Sequence, residues 1–423
     1  MVEADLLSDP SAGDTAATFR WLSIVGIGED GIDGLSTAAR ELVQRAEIVF
    51  GGKRHLALAA PLIRGVARPW PSPFEGAVGE VLAYRGRAAC VLASGDPHLY
   101  GIGALLAQHV DAREVQAVPA PSAFSLAAAR LGWALADSAQ LSLHARALDL
   151  VRPYLQPGAR VLALTSDGRS PAALARLLNG AGFGRSRLTI LEALGGPRER
   201  IRTTSAEQFA LDTVNDLNVV AIEVTAEPGA RVIARAAGLS DTLFEHDGQI
   251  TKREVRAITL SSLAPRRGEL LWDIGAGAGS VAIEWMLADP SLRAIAVERS
   301  TQRAARIKRN AARFGVPGLV AIEGAAPAAL ENLAPPHAIP HAIFVGGGAN
   351  EPGVLDRCVA ALRSGGRLVV NAVTLETESL VLKRRASLGG DLIRVAVTHA
   401  EPVGSKIGWR PAMPVLQWVW VKP

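Results

Sequence analysis

The stretch Leu271-Trp272-Asp273-Ile274-Gly275-Ala276-Gly277-Ala278-Gly279-Ser280 decides how the second half of this chain folds. An apolar run ends in an acid, passes through glycines at alternate positions and enters the helical stretch 281–287. Alternate glycines let the backbone bend sharply and approach a ligand, and the free amides of a helix start face a carboxylate or phosphate. Glu298 closes the next apolar run, Ala294-Ile295-Ala296-Val297-Glu298, where an acid suits paired ribose hydroxyls. Three readings compete: a purely structural glycine turn, a dinucleotide site, and another nucleoside site. Dinucleotide binding asks for G-x-G-x-x-G, and the sixth position here is Ser280.

Around this loop, residues 269–275, 293–299, 319–324, 341–347, 366–373, 391–399 and 414–421 read as strands separated by helical stretches, except that the last two have no helix between them and suit an antiparallel edge pair. Seven strands make a complete doubly wound sheet. Upstream, residues 21–28, 47–52, 88–94, 114–120, 160–166, 187–194 and 218–224 are strand-like and alternate with Ala/Leu-rich helical runs. Both halves are therefore expected to be α/β. A boundary is expected near 230–245, giving a tail over 1–18, a first domain over 19–228, a linker over 229–244 and a second domain over 245–423. The halves share no motif order, so they are not a duplication.

Composition narrows the function classes. With 49% hydrophobic and 20% charged residues over 423 positions, the chain can bury sizeable cores. A net charge of +4 is too small to imply a nucleic-acid partner and fits an anionic substrate. The only cysteines, Cys90 and Cys358, offer neither a disulfide framework nor a Cys-rich metal site. The eight histidines have no metal spacing, so no metal is expected; His55, His144 and His399 read as ordinary surface or core residues. The tail lacks a secretory signal, and no run reaches the length of a membrane span. A soluble, cytoplasmic protein is the expectation. The cations Arg303, Arg306, Lys308, Arg309 and Arg313 read as a solvated helix face rather than a nucleic-acid stripe.

Asp-x-Gly-x-Gly-x-Gly resembles motif I of the class I methyltransferases. With Gln249-Ile250-Thr251-Lys252-Arg253-Glu254-Val255-Arg256, Glu323-Gly324-Ala325-Ala326-Pro327 and Asn371-Ala372-Val373-Thr374-Leu375-Glu376-Thr377, most of 245–423 resembles the decarboxylating precorrin methyltransferase domain of cobalamin biosynthesis. That resemblance implies S-adenosylmethionine held by Thr251, Asp273, Gly275, Ala276, Gly277, Ala278, Gly279, Glu298 and Ala326. Where the family has Gly-Asp-Ala-Pro, Ala325 replaces the acid. In the first half, Val25-Gly26-Ile27-Gly28, then Ser94-Gly95-Asp96-Pro97-His98-Leu99-Tyr100-Gly101-Ile102-Gly103, Pro119-Ala120-Pro121-Ser122-Ala123 and Glu192-Ala193-Leu194-Gly195-Gly196-Pro197 resemble the tetrapyrrole (class III) methyltransferases over about 20–225. This implies two α/β subdomains and a second S-adenosylmethionine site lined by Ser94, Gly95, Asp96, Leu99, Ser122, Ala123 and Gly195.

The two families in this order imply methylation of an anionic reduced tetrapyrrole, precorrin-6Y, at carbons 5 and 15 with loss of the ring C acetate carboxyl, giving precorrin-8X. Lys252, Arg253 and Arg256, just before the glycine loop, are candidates for substrate carboxylates against a solvated-face alternative, and His98 is a candidate substrate contact. No residue stands out as the decarboxylation catalyst. A nucleic-acid methyltransferase is the rival, but the chain lacks the Asn/Asp-Pro-Pro-Tyr/Phe motif and a paired-cysteine arrangement. One cofactor per domain, a homo-oligomer and transient contacts with neighbouring pathway enzymes are expected.

Overall fold

The computed structural model of the protein describes residues 20–331 and 333–423; the tail over 1–18 lies outside them. The chain divides into two compact units, one of residues up to 144 with 160–173 and 187–223, the other of 145–159, 174–186 and 224–423.

In the first unit, β1 (Leu22–Ile27), β2 (Ile48–Gly51), β3 (Val66–Pro69), β4 (Ala89–Ser94) and β5 (Val115–Val118) form an all-parallel sheet in the order β3-β2-β4-β1-β5. The apolar runs of β1, β2 and β4 are buried nearly throughout, as strands covered on both faces must be. The register pairs Ile27 with Ser94, so the carboxyl ends of β1 and β4 coincide. A second sheet, β6 (Ser138–Ser142), β7 (Arg160–Leu164), β8 (Arg187–Glu192), β9 (Arg200–Ser205) and β10 (Asn218–Glu223), runs in the order β6-β7-β10-β8-β9 with only β6 and β7 parallel. Phe124, Ala127 and Ala128 of the helix Ala123–Leu131 pack on its Leu162, Leu191, Val219 and Ala221. The two sheets are the two α/β subdomains expected.

In the second unit, β11 (Leu270–Ile274), β12 (Arg293–Glu298), β13 (Val320–Glu323), β14 (Ala342–Val345), β15 (Arg367–Ala372), β16 (Asp391–Val395) and β19 (Val415–Val421) form one sheet, and β17 (Thr398–Val403) pairs with β18 (Lys406–Pro411) in a separate hairpin. The sheet order is β13-β12-β11-β14-β15-β19-β16, parallel except that β19 is antiparallel to both neighbours. The antiparallel pair expected of the last two sheet strands is therefore present, with β16 at the edge and β19 between it and β15. Side chains alternate between the faces. Leu271, Ala294, Ala296 and Phe344 join one core with the helices Ser280–Ala288 and Thr301–Arg313, while Leu270, Trp272, Ile295 and Ile343 join the other with Val354–Ala361.

Two expectations are corrected here. The stretch 229–244 is not a free connector, because Ile233, Leu239 and Phe244 are buried in the second unit's core. Nor is the basic helix face freely solvated: Arg303 and Arg306 pair with Asp247 at 2.9 and 3.1 Å, and Arg309 pairs with Glu245. Arg309, then burial opposing it, holds the Glu245 carboxyl below its ordinary value, and Arg303 and Arg306 do the same for Asp247. No helix among the described residues is long and apolar enough to cross a membrane, and no group of three His, Cys, Asp or Glu side chains there is arranged to hold a metal ion.

Candidate functional site

The second unit's sheet leaves β11 in opposite directions toward β12 and β14, and ligands of open α/β sheets sit at such a switch point, outside the carboxyl ends of the strands. The loop Gly275–Gly279 lies there. Gly275, Gly277 and Gly279 have φ of +69°, +58° and +74°, which L side chains rarely adopt. The space is closed as well: a Cβ on Gly275 would lie 2.5 Å from the Gly347 carbonyl oxygen, and one on Gly279 would lie 2.9 Å from Ile307 Cγ2. Glycine is required at these positions by conformation and by close approach.

Two acids flank the loop. Glu298 accepts the Gly277 N–H at 2.9 Å through Oε2 and the Ser300 N–H at 3.0 Å through Oε1, so it fixes the loop at the end of β12. Asp273 is fully buried; its Oδ2 accepts the Ala282 N–H at 3.1 Å, while Oδ1 has no hydrogen-bond partner among the described residues. Burial, reinforced by the Glu298 charge and opposed by the Ala282 N–H, pushes the Asp273 carboxyl up to about 7. A buried oxygen without a donor is costly, and a ligand cation placed there would relieve it. Ala276 is half-buried and Ala278 buried, with its carbonyl taken by Asn310 Nδ2 at 3.0 Å. Thr251 follows Gln249, whose carbonyl oxygen lies 3.1 Å from the Cβ position of Gly277. Ala326 stands in the turn after Gly324, whose N–H reaches the Glu298 carbonyl at 3.0 Å. The loop, Glu298, the segment around Thr251 and the turn carrying Ala326 are thus brought together.

The three cations before the loop do not form one set. Lys252 and Arg253 are exposed at the start of the helix Arg253–Leu263. Arg256 is completely buried: Nε donates to Glu284 Oε1 at 2.6 Å, Nη1 to Asp241 Oδ1 at 2.9 Å and to the Thr251 carbonyl, and Nη2 to the Leu239 carbonyl. Its candidacy for substrate carboxylates is withdrawn, since its donors are committed inside the core. Helical spacing accounts for the split: positions 252 and 253 fall at the solvent-facing start, whereas 256, 259, 260 and 263 share the buried stripe.

In the first unit, Gly95 follows β4 with φ +54°, and its N–H donates to the Ile27 carbonyl at 3.2 Å. The Gly95 carbonyl accepts the Ala120 N–H at 3.1 Å, and a Cβ on Gly95 would press to 2.8 Å on the Pro121 carbonyl oxygen. Gly26 of β1 is glycine for the same junction, because its Cβ would fall 1.9 Å from the Gly95 oxygen. Asp96 Oδ1 accepts the His98 N–H at 2.8 Å, shaping the turn and leaving His98 exposed. Ser122 Oγ caps the helix Ala123–Leu131 by accepting the Ser125 N–H at 3.0 Å. Leu99 and Ala123 pack beside Phe124, and Gly195, at φ +82°, has its N–H bound to Glu199 Oε2 at 2.7 Å with Leu126 alongside. The turn Ser94–Asp96, the Pro121–Ser122 loop and the start of that helix form one wall.

A polar cluster at this wall escaped the sequence reading. Ser94 Oγ lies 2.8 Å from His55 Nε2 and 3.0 Å from Arg54 Nη2, and Arg54 is ion-paired with Glu29. Ser94, already a candidate, ends β4, while Arg54 and His55 follow β2 and Glu29 follows β1, and that position after a strand end is the signal the sequence carried for these three.

Residues 242–422 match the family model of the precorrin methyltransferase domain, and residues 22–210 match that of the tetrapyrrole (corrin/porphyrin) methylases. The chain is 57% identical over 416 residues to a precorrin-6Y C(5,15)-methyltransferase (decarboxylating) of a Sinorhizobium species, covering 98% of this chain and 100% of the relative. It is 41% identical over 400 residues to the Mycobacterium tuberculosis protein of the same name, covering 93% and 98%. A cobalt-precorrin-6B C(15)-methyltransferase (decarboxylating) of Salmonella typhimurium is 32% identical over 183 residues, 42% of this chain and 92% of the relative. With each family model matched to one half and the whole length shared with the Sinorhizobium relative, the chain belongs to the precorrin-6Y C(5,15)-methyltransferase (decarboxylating) family.

Proposed function

We propose that the chain methylates precorrin-6Y at carbons 5 and 15 with S-adenosylmethionine and releases the ring C acetate carboxyl as carbon dioxide, giving precorrin-8X. The observation that carries this is the presence on one chain of two unlike glycine-turn sites, Gly275–Gly279 and Ser94–Asp96, each at the carboxyl ends of parallel strands. This reading has two cofactors per chain. When bound, each supplies a methyl group on a sulfonium, an electrophile that an electron-rich ring carbon attacks directly.

The protein's part is alignment and exclusion of water. The orphaned Asp273 Oδ1 suits the ammonium of the cofactor's amino-acid end, the loop amides suit its carboxylate, and Glu298 suits the ribose hydroxyls. Ser94, Gly95, Asp96, Leu99, Ser122, Ala123 and Gly195 line the other site, largely through backbone. Lys252 and Arg253 are free to meet substrate carboxylates, and His98 is free to touch the macrocycle. The second unit takes carbon 15 and the decarboxylation, as the name of the Salmonella relative suggests, which leaves carbon 5 to the first. Exposed Val403, Ile407 and Trp409 on the hairpin support assembly into a homo-oligomer, and the biosynthetic family supports a cytoplasmic reaction. Calorimetric titration with S-adenosylhomocysteine tests the reading: two sites per chain are expected, and a single site in the full chain contradicts it.

A further inference from the structure

Replacing the hydrogen of a ring methine by a methyl group releases one proton, whatever the order of events. The sulfur–methyl bond breaks with its electron pair left on sulfur, the ring carbon's π pair forms the new carbon–carbon bond, and the carbon–hydrogen pair returns to the ring. That proton needs an acceptor. None was evident in the sequence, but the carboxyl ends of β1, β2 and β4 bring one together: Glu29 follows β1, Arg54 and His55 follow β2, and Ser94 ends β4.

We propose that Ser94 and His55 form the proton exit of the first unit's methyl transfer, an inference that rests on the carbon-5 reaction proposed above. Arg54 is always a donor, so the His55 Nε2 that faces it at 2.8 Å is the unprotonated nitrogen. The single lone pair of Nε2 takes one hydrogen at a time: when the Ser94 hydroxyl donates to His55 Nε2 at 2.8 Å, Arg54 Nη2 directs its hydrogen to Ser94 Oγ at 3.0 Å. As the ring proton reaches Ser94 Oγ, the serine's own proton passes to Nε2. Burial first, and Arg54 second, hold the imidazole down at about 4, so it is neutral throughout the physiological range. A weak base suffices, because a hydrogen on carbon beside a ring iminium is strongly acidic. Glu29, ion-paired with Arg54 and 3.6 Å from Arg198, offsets the charge that appears on the imidazole. His55 Nδ1 is buried without a partner among the described residues, whose hydrogen bonds to the imidazole are all on its Nε2 side. Arg54 and Glu29 are positioning residues here.

The test is single-turnover methylation of carbon 5 by the full chain, with the parent and with His55→Gln and His55→Asn. Both variants should bind S-adenosylhomocysteine at the first site as the parent does, yet methylate at least ~100-fold more slowly. Deuterium at the acceptor carbon should slow them further, and added imidazole should restore part of the rate. Ser94→Ala, which keeps the backbone through which position 94 lines the cofactor site and removes only the hydroxyl, asks the same question should either histidine variant fail to fold. Rates within about twofold of the parent, or loss of cofactor binding in step with the rate, would overturn the proton exit. A parent chain that makes no carbon-5 product would overturn the assignment of function itself and this inference with it.

Discussion

Arg256 Nε donates to Glu284 Oε1 at 2.6 Å with both side chains buried, and the same carboxylate accepts the N–H groups of Gly238 and Leu239 at 2.7 and 3.0 Å. One buried acid therefore ties the segment preceding the glycine loop to the helix Ser280–Ala288 that follows it. Removing one partner of a buried pair strands the other charge. Glu284→Ala should cost about 3–5 kcal/mol of stability, read by denaturant unfolding, with tetrapyrrole affinity unchanged in the folded fraction. Lost substrate binding at unchanged stability would return Arg256 to the substrate site.

Asp273 sets a pH dependence with a definite sign. Its folded-state pKa is raised, mainly by burial, from 3.8 to about 7, so the fold favours the protonated form. The contribution to stability is complete below the ordinary carboxyl value and is lost as pH rises from there through about 7. Asp273→Asn should flatten this part of the stability profile. If a ligand ammonium meets Oδ1, ionisation is favoured on binding, and calorimetry at pH 7 in buffers of different ionisation enthalpy should show protons released by the parent and fewer by the variant.

Lys252 and Arg253 remain as exposed cations beside the loop. Replacing both by glutamine should weaken tetrapyrrole binding, about tenfold if each contributes a screened surface interaction, and leave S-adenosylhomocysteine binding intact. Equal substrate affinity in equilibrium titrations would identify them as a solvated face.

Most strands visible in the sequence are buried ones, although β5, β13 and β16 were visible with partly exposed residues. β1, β4, β11, β12 and β14 are nearly continuous apolar runs because a parallel sheet is covered on both faces. β3, with all four residues exposed, the arginine-bearing β9, and the solvent-facing hairpin of β17 and β18 carry little apolar periodicity, and they went unseen. The glycine positions of both loops were legible because backbone conformation and close approach admit nothing else. Arg256 misled because a run of cations at a helix start looks uniform until the helical turn assigns each to a face. His55 was invisible because its partners Arg54, Glu29 and Ser94 meet only when three strand ends converge, with Glu29 and Ser94 lying 26 and 39 positions away from it.

Gly277→Arg should separate the two chemistries. A side chain there meets a φ of +58° and the Gln249 carbonyl oxygen at 3.1 Å, and the guanidinium would occupy the space outside the loop. The full-length variant should bind one S-adenosylhomocysteine, methylate carbon 5 and retain the ring C acetate. Carbon dioxide release by this variant would contradict the assignment of decarboxylation to the second unit. Complete inactivity would show that the carbon-5 step depends on the other site.

The most direct measurement is the mass spectrum of the product formed by the purified full-length protein from precorrin-6Y and S-adenosylmethionine. Two sites with two chemistries give a product that has gained two methyl groups and lost one carboxyl as carbon dioxide, with two equivalents of S-adenosylhomocysteine formed. A product carrying a single added methyl, or two methyls with the acetate intact, would contradict it.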